Sequence, residues 1–507
     1  MTQTARGNPD TSAEADIRPV ERATFESYDP RTEELVGSHP THDAAHVDEA
    51  VRTARGAQRW WDELGFAGRK QRLDAWRKLL VRRIDEAAGV ICSETGKPVD
   101  DARLELILVI DHLHWASKHA ESVLRRRKVS PGFLMANQAA TVEYLPQGVV
   151  GVIGPWNYPA FTPMGSIAYA LAAGNAVVFK PSELTPGVGR WLADTFAEIV
   201  PEHPVFTVVT GYGETGAALC RSGVDKLAFT GSTETGKRVM ETCSETLTPV
   251  LVECGGKDAL VVDADADLDA AADAAVWGAM SNAGQTCIGV ERVYVVETVA
   301  ERFLELVAER ADKLRPGGEP RADLGPITMA SQVEVIRRHV DEALNLGARA
   351  VVGGSDSVRP PFVEPVVLTD VPPEAEAVRE ETFGPTIVVD RVTSADEGIE
   401  RANASRYGLG ATVFSRARGA ELARRLRSGM VAVNSVISFA AVPALPFGGV
   451  GESGFGRIHG ADGLREFTRS QAVTRMKYRM PINPMTFGRS SRTVRHLMRL
   501  VRMLRGR

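Results

Sequence analysis

Three side chains capable of covalent or acid–base chemistry stand at the ends of short apolar runs. Cys287 lies in SNAGQTCIG, Glu253 in PVLVECGGK, and Asn157 in GVVGVIGPWNYP. A thiol among small residues suits a nucleophile that must meet a substrate. A carboxylate buried at a strand end has a raised pKa and can serve as a general base. The Asn157 amide can donate to a developing oxyanion.

Each of these residues also has a plain structural explanation. Cys287 could be a small buried hydrophobe. Glu253 could form an ion pair with Lys257, and Asn157 could be a turn residue between two prolines. All three nevertheless follow predicted strands, and ligands of open α/β sheets bind beyond the carboxyl ends of strands. The shared location favours a functional site.

Three glycine-rich stretches could hold a phosphate. Residues 211–216 match GxGxxG between a predicted strand and helix, whereas residues 449–454 match it without a preceding strand. Residues 231–236 do not match the pattern, but they follow the strand KLAFT and open a helix with hydroxyls in its first turn. Free N–H groups at a helix start bind phosphate, and Ser232 could add a donor. The pattern alone favours 211–216 as the phosphate-binding loop. The acidic residue expected about 20 residues later would, however, fall inside the 231–236 loop, and this weakens the assignment to 211–216.

Metal binding is not expected from the remaining polar clusters. The sequence DADAD at 263–267 resembles the start of an EF-hand loop, but Leu268 replaces the glycine and Ala274 the glutamate that such a loop needs. His112 and His114 have no further ligand at metal-binding spacing. We interpret these residues as structural.

Composition limits the classes of function. The chain has 507 residues, of which 44% are hydrophobic and 25% charged, as in ordinary globular proteins. The net charge of -5 argues against nucleic-acid binding. Five cysteines without a CxxC pair favour a reducing compartment, which predicts a cytoplasmic protein. Residues 1–20 are polar and read as a loose leader without a signal peptide, and no apolar run approaches the roughly 20 residues of a membrane span.

The elements that must position these residues follow from the change of pattern along the chain. Residues 43–128 are predicted to be helical. Apolar runs then alternate with helical stretches over 139–262 and again over 291–434. Such alternation is typical of parallel βαβ units. The predicted fold is therefore α/β, with two doubly wound domains that face each other across a cleft.

The C-terminal segment differs from the rest of the chain. No acidic residue follows Glu466, and from Arg492 the apolar and arginine residues occupy opposite helix faces at 100° per residue. One interpretation is a helix that docks on its own or a neighbouring subunit. The other is a basic helix, within residues 489–507, that makes peripheral contact with an anionic membrane. The sequence leaves both interpretations open.

Seven motifs resemble the aldehyde dehydrogenase superfamily, in its order and spacing over roughly residues 25–475. These motifs are PWNYP at 155–159, KPSE at 180–183, FTGSTETG at 229–236, LVECGGK at 251–257, GQTC at 284–287, EETFGP at 380–385 and PFGGVGESGFGR at 446–457.

The resemblance implies a dinucleotide-binding domain, a catalytic domain and a small β extension that forms homodimers or homotetramers. The dinucleotide-binding domain would comprise residues 1–124 and 147–254, the catalytic domain residues 255–457, and the β extension residues 125–146 and 458–480. A basic tail follows at 481–507.

The resemblance also implies a role for each candidate residue. Cys287 is the nucleophile, Glu253 activates water, and Asn157 forms the oxyanion hole with the Cys287 N–H. Lys180 and Glu183 hold the adenosine ribose, Ser232 and Trp156 the pyrophosphate, Glu381 the nicotinamide ribose, and Phe383 the ring. The other implied cofactor contacts are Ile153, Pro155, Ser182, Gly213 and Gly231. In this family the pyrophosphate binds at 231–236, and 211–216 only borders the adenine.

The implied reaction is the oxidation of an aldehyde to a carboxylic acid through a thiohemiacetal and a thioester on Cys287. Glu183 favours NAD because a carboxylate repels a 2′-phosphate, while Lys180 and Ser182 keep NADP as an alternative. The predicted entrance has no charged residue, which favours alkyl or aromatic aldehydes. A CoA-acylating semialdehyde dehydrogenase and a non-catalytic protein on the same fold are the alternatives. Cys254 beside the base is interpreted as a small buried hydrophobe, with a redox partner of Cys287 as the alternative, and Asp258 is left without an explanation.

Overall fold

A computed structural model describes residues 23–318, 322–480 and 485–506. The predicted leader at 1–20 lies outside the described residues. The chain begins with an antiparallel pair of strands, β1 (Thr24–Tyr28) and β2 (Leu35–Pro40). Four helices follow as predicted: α1 (Ala44–Glu63), α2 (Gly65–Arg82), α3 (Ile84–Thr95) and α4 (Val99–Leu124).

The boundaries of these helices follow from local sequence. Asp43 caps α1 by accepting the His46 N–H at 3.0 Å. Gly96 ends α3 at a φ of 72°, a left-handed conformation that glycine adopts without strain. Two residues later Pro98 precedes α4. The loop between α3 and α4 therefore holds Lys97 at a fixed place, and that place is buried.

A six-stranded sheet forms the first α/β unit. Its strands are β5 (Val149–Ile153), β6 (Ala176–Lys180), β7 (Phe206–Val208), β8 (Lys226–Gly231) and β9 (Val250–Cys254), with β19 (Gly454–Phe455) at one edge. The helices between them are α5 (Phe161–Ala173), α6 (Pro186–Ile199), α7 (Gly213–Arg221) and α8 (Thr233–Ser244). The order is β19-β9-β8-β5-β6-β7, and all pairs are parallel except β19 with β9.

A seven-stranded sheet forms the second unit, in the order β12-β15-β16-β11-β10-β17-β18. Its strands are β10 (Asp258–Val262), β11 (Val290–Val296), β12 (Arg349–Val352), β15 (Val366–Thr369), β16 (Thr386–Val392), β17 (Gly410–Phe414) and β18 (Met430–Val433). A separate hairpin joins β13 (Val358–Arg359) to β14 (Phe362–Val363). The helices are α9 (Leu268–Met280), α10 (Glu297–Ala311), α11 (Ala330–Asn345), α12 (Glu376–Arg379), α13 (Ala395–Asn403) and α14 (Gly419–Ala423).

The chain passes from the first sheet to the second over a few residues. Strand β9 belongs to the first sheet and β10 to the second, so the change of sheet falls between Cys254 and Asp258. Residues 454–455 return to the first sheet as β19, and α15 (Gly460–Glu466) packs against α4 and α5. The predicted α/β fold class with parallel sheets is confirmed.

A third sheet has three strands, β20 (Thr468–Met476), β4 (Gln138–Pro146) and β3 (Arg127–Val129), paired antiparallel in that order. These strands lie in the segments predicted as the β extension. The last helix is α16 (Ser491–Arg505), which has no buried residue. Among the described residues, no helix is long and apolar enough to cross a membrane.

Candidate active site

The loop that carries Cys287 is a tight turn held by hydrogen bonds from the Gln285 side chain. After α9, Asn282 and Ala283 both adopt a φ of 53°, in the left-handed region. The Gln285 amide donates to the Asn282 carbonyl at 2.9 Å and to the Pro326 carbonyl at 3.1 Å. These bonds fix the turn two residues before the thiol.

Glu253 lies on β9 with its carboxylate buried and without a hydrogen bond to either oxygen among the described residues. Burial raises the pKa of this carboxylate to about 7, and the Thr230 and Cys287 side chains oppose that rise. A Cβ on Gly256 would stand 2.8 Å from the Cys287 carbonyl oxygen, so the chain beyond β9 touches the nucleophile's loop. Lys257 pairs with Glu291 and not with Glu253, so the ion-pair alternative for the base is wrong.

Asn157 follows β5 and is bonded to the same loop. Its amide nitrogen donates to the Gln285 carbonyl at 2.9 Å. Its own carbonyl accepts from the Lys97 ammonium at 2.7 Å and from the Asn282 amide at 3.1 Å. The structure thus brings the three predicted residues together from three separate segments.

Two cavities meet at Cys287, and Cys287, Glu253 and Thr162 line both. The first has a volume of about 290 Å³ and is mainly apolar, with walls from α4, α5, α9 and the loop before β19. The second has a volume of about 210 Å³ and is lined by residues at or after the ends of β5, β8, β9 and α12 and by residues of α11. A group held in one cavity can therefore meet a group held in the other at the thiol.

The electrostatic surroundings keep the resting thiol neutral. Burial raises the pKa of Cys287 well above its ordinary value, and the Glu253, Glu381 and Asp258 carboxylates raise it further. Burial likewise raises the pKa of Glu381 well above its usual range. An attack by sulfur in this site therefore needs a base that removes the thiol proton.

Comparison with known proteins accounts for this arrangement. The family model described as aldehyde dehydrogenase family matches residues 17–473. The chain belongs to the aldehyde dehydrogenase family. The resemblance predicted from the seven motifs is confirmed, and the enzyme is an NAD(P)-dependent aldehyde dehydrogenase.

Three relatives illustrate the range of similarity. A 4,4′-diapolycopene aldehyde oxidase of Methylomonas sp is 38% identical over 92% of this chain and 88% of its own length. A Mycolicibacterium smegmatis protein with the provisional name succinate-semialdehyde dehydrogenase (NADP(+)) is 37% identical over 86% of this chain and 85% of its own. The crystal structure of an NAD-dependent aldehyde dehydrogenase from Sinorhizobium meliloti has a TM-score of 0.87 at 32% identity, covering 92% of this chain and 93% of that one.

More than half of the predicted cofactor residues line the second cavity of this aldehyde dehydrogenase. They are Pro155, Trp156, Gly231, Ser232, Glu381 and Phe383. The Trp156 and Phe383 rings meet edge to face with their centroids 5.6 Å apart. The Glu381 carboxylate accepts the Gly256 N–H at 3.1 Å.

The other predicted cofactor residues lie on or beside β5, β6 and α7. The Lys180 ammonium at the end of β6 is 3.6 Å from the Glu183 carboxylate. A Cβ on Gly216 would lie 3.6 Å from Lys180 and 3.8 Å from Ile153, so the first half of α7 faces these two residues. The Ser182 hydroxyl accepts the Leu184 N–H at 3.2 Å, and Gly213 begins α7 with open space around its Cα.

The three glycine-rich stretches differ in location. Gly231 and Ser232 line the second cavity, and Ser232 caps α8 by accepting the Thr235 N–H at 3.3 Å. Residues 211–216 follow β7 and run into the first turn of α7, but they are not among the residues that line that cavity. In the third stretch the Ser453 hydroxyl donates to the Gly255 carbonyl at 2.8 Å, and a Cβ on Gly454 would stand 2.0 Å from the Val252 carbonyl oxygen, a close approach of two backbones.

Three residues around the site were missed by sequence reasoning. Lys97 and Glu105 contact the segment after Asn157. Glu291 accepts the N–H groups of Thr382 and Phe383 at 2.8 and 3.0 Å and so holds the segment that carries Glu381. Charged residues just before a helix or inside a helix or strand look solvated in a sequence, and only tertiary packing buries them.

Cys254 and Asp258 now have structural explanations. A Cβ on Gly236 would lie 3.0 Å from the Cys254 sulfur, so this thiol faces α8 as a small buried group, in agreement with the first interpretation. Asp258 is buried and accepts the Gly410 N–H at 3.0 Å, which ties the start of β10 to the start of β17. Burial raises the pKa of Asp258 well above its ordinary value.

Proposed function

We propose that this aldehyde dehydrogenase oxidises apolar alkyl or aromatic aldehydes to carboxylic acids, with Cys287 as the nucleophile. The observation that carries the proposal is that Cys287 and Glu253 line both the apolar cavity and the cavity that contains the predicted cofactor residues. An aldehyde and a dinucleotide can therefore approach one sulfur atom from two sides.

The first step is attack of the sulfur on the aldehyde carbon. Glu253, with a pKa near 7, takes the thiol proton as the S–C bond forms. The carbonyl electrons move to oxygen, where the Asn157 amide and the Cys287 N–H donate to the new oxyanion. One Asn157 N–H is already committed to Gln285, so the second one serves the oxyanion.

The dinucleotide fits the residues present at the second cavity. The N-terminus of α8, capped by Ser232, suits a pyrophosphate, and Glu381 suits a ribose hydroxyl. A bound NAD or NADP supplies a hydride acceptor for the C–H bond of the thiohemiacetal. The Trp156 and Phe383 rings line this cavity and meet edge to face.

Hydrolysis completes the reaction. Once the thioester has formed on Cys287 and Glu253 has passed the thiol proton to solvent, Glu253 removes a proton from water, which attacks the acyl carbon. The tetrahedral intermediate then releases the acid and the Cys287 sulfur, which takes that proton back from Glu253. A CoA-acylating enzyme does not require such a base. Product analysis with and without CoA separates the two reactions, and we expect free acid at the same rate in both.

The substrate proposal rests on the walls of the first cavity. Leu104, Ile107 and Trp277 line it and are 54%, 52% and 53% exposed, so its mouth is apolar. Among the described residues, the Asp and Glu side chains that line it are Asp101, Glu105 and Glu253, and no Lys or Arg lines it. A carboxylate-bearing aldehyde would meet no cation there, which argues against succinate semialdehyde and favours an apolar chain.

NAD is the proposed preferred cofactor. Lys180 is buried, and its ammonium donates to the Pro181 carbonyl at 2.9 Å, so it has little freedom to hold a 2′-phosphate. Glu183 is partly exposed beside it and would repel that phosphate. A chain-length series of aldehydes assayed with both nicotinamides tests cofactor and substrate together. Equal kcat/KM with NADP, or a preference for succinate semialdehyde, would overturn the respective part.

The division into domains and the assembly state are proposed on the same basis. The dinucleotide-binding domain comprises 1–124 and 147–254, the catalytic domain 255–457, and the extension 125–146 with 458–480. The extension exposes the outer strand β20, which suits contact with a second copy. We propose a cytoplasmic homodimer or homotetramer, which sedimentation analysis would distinguish from a monomer.

The tail at 481–507 is proposed to contact an anionic membrane surface. Helix α16 has no buried residue, and its apolar face leaves Val494, Met498 and Leu504 42%, 48% and 51% exposed. Arginines occupy the opposite side, and no acidic residue follows Glu466. This charge pattern complements phosphatidylserine better than it complements a neutral surface.

Vesicle flotation tests the tail. The full chain should float with phosphatidylserine vesicles and not with phosphatidylcholine vesicles, and removal of residues 489–507 should abolish flotation. Unchanged binding after removal would contradict the membrane proposal. A change in oligomeric state without any vesicle binding would instead assign the helix to a subunit contact.

A further inference from the structure

We propose that Lys97 and Glu105 are positioning residues that hold Asn157 and the start of α5 in place for the oxyanion of the reaction. The inference rests on the proposed role of Asn157. Neither residue belongs to the seven motifs, and their side chains are 2% and 0% exposed. A buried ion pair costs desolvation free energy, so its location beside the nucleophile's loop calls for an explanation.

Glu105 reaches from the middle of α4 to the start of α5. One of its carboxylate oxygens accepts the N–H groups of Ala160 and Phe161 at 2.8 and 3.0 Å. The first N–H groups of a helix have no partner within the helix, and a carboxylate is a favourable acceptor there. Glu105 therefore fixes the chain three and four residues after Asn157.

Lys97 connects that carboxylate to Asn157. Its ammonium donates to the second Glu105 oxygen at 2.9 Å and to the Asn157 carbonyl at 2.7 Å. It also lies 4.3 Å from the centre of the Tyr158 ring. The Tyr158 hydroxyl in turn bonds to Thr286 at 3.0 Å, directly before Cys287.

These contacts constrain the main chain at Asn157, while the Gln285 carbonyl constrains its amide. An oxyanion donor works best when its position is set before the charge develops, because no reorganisation is then needed during the reaction. Loss of Lys97 would leave the thiol in place but let the Asn157 amide move.

Two reactions of Cys287 separate this effect from general damage. Attack on p-nitrophenyl acetate passes through a tetrahedral oxyanion, whereas alkylation by iodoacetamide passes through none. We expect Lys97→Met to slow acylation by about 10- to 100-fold, as expected for a weakened oxyanion donor. We expect it to change alkylation by less than about twofold and to reproduce the pattern of Asn157→Ala.

The matched control is Lys226→Met. Lys226 is also buried and paired with a glutamate, Glu466, but it stands at the start of β8, opposite the strand ends that carry the site. It should lower the Tm without changing the ratio of the two rates. Glu105→Gln keeps an acceptor for the α5 N–H groups, so it serves if Lys97→Met does not fold, and we expect a smaller loss of acylation only.

The outcomes are distinguishable. Equal loss of both rates in a folded Lys97→Met or Glu105→Gln protein, or loss of neither, would overturn the positioning role. If Asn157→Ala itself leaves acylation unchanged, the proposed oxyanion role of Asn157 fails, independently of Lys97.

Discussion

The two cavities that meet at Cys287 are built from different kinds of structure. The cofactor cavity is lined by residues at the ends of β5, β8 and β9, including Gly231 and Gly255, together with residues of α11 and of the segment after α12. The aldehyde cavity is lined by side chains of α4, α5 and α9 and of the loop before β19. Strand ends supply much of the first lining, whereas helix and loop side chains supply the second.

This difference indicates which residues around the site the fold requires and which residues can be replaced without a change in the fold. At the cofactor side, a Cβ on Gly255 would stand 2.1 Å from a Glu381 oxygen, so a side chain there displaces the carboxylate. At the aldehyde side, Trp277 is half exposed and can change without moving the backbone. Substrate preference can therefore change while cofactor binding is retained.

The residue shared by both cavities should show the largest effect. We expect Cys287→Ala to lower aldehyde oxidation by at least about 10⁴-fold, because the covalent path is lost. Binding of NAD, measured by quenching of tryptophan fluorescence, should change by less than about twofold. Cys92→Ser, a change at a cysteine outside both linings, is the control and should be fully active. If the alanine variant were nearly as active as the parent enzyme, Cys287 could not be the nucleophile shared by the two cavities.

Replacement of the shared base should affect one half-reaction most. We expect Glu253→Gln to lower steady-state turnover by about 10²- to 10⁴-fold, because no group activates water. A single burst of NADH, smaller in rate than that of the parent, should precede the block, and mass spectrometry should detect an acyl group on Cys287. Steady turnover at the parental rate would remove Glu253 from the mechanism.

The dependence on pH should report the same carboxylate. Its pKa is raised to about 7, so it is protonated and inactive as a base below that pH. Turnover should fall by about tenfold per unit as the pH decreases below 7, and it should level off above. The acidic limb should be absent from the residual activity of Glu253→Gln. A limb that persists in that variant would assign it to another group.

A side chain added at Gly255 in the cofactor cavity should impair cofactor use alone. Gly255→Ala places its Cβ against Glu381, so we expect the KM for NAD to rise by about tenfold. The rate of Cys287 alkylation by iodoacetamide, measured on the same preparation as an internal control, should stay within about twofold of the rate in the parent enzyme. An unchanged KM would mean that Glu381 can move without loss of binding.

A charge introduced into the aldehyde cavity should have the smallest effect and should change the preference among aldehydes. We expect Trp277→Arg to lower kcat/KM for an alkyl aldehyde and to raise it for succinate semialdehyde, each by about three- to tenfold. Trp277→Leu is the matched uncharged variant and should reduce only kcat/KM for the alkyl aldehyde. A parallel loss for both aldehydes would show that the charge itself has no influence.

The parts of the site that sequence could predict are those with a recognisable local pattern. Cys287, Glu253 and Asn157 stand after apolar runs, and parallel strands bring such ends to one edge of a sheet. The helices over 43–128 and the change of pattern near residue 139 likewise follow from periodicity. Sheet order could not be predicted, because it depends on which apolar faces meet.

The residues that escaped prediction act through distant partners. Glu105 lies within α4, 55 positions before Ala160, whose N–H it accepts. Nothing in the sequence near Glu105 distinguishes it from an exposed helical glutamate. Lys97 pairs with it from the loop directly after Gly96, where a lysine is typical of a turn. Their function becomes visible only when α4 is packed against α5.

The short strand β19 has a consequence for how the enzyme is made. It covers the free edge of β9, the strand that carries Glu253, and Gly454 pairs there with Glu253 itself. During synthesis, β9 leaves the ribosome about 200 residues before its cover does. The nascent first sheet thus exposes an unpaired hydrogen-bonding edge while about 200 further residues are translated, and a chain that stopped before residue 454 would keep that edge open to other strands.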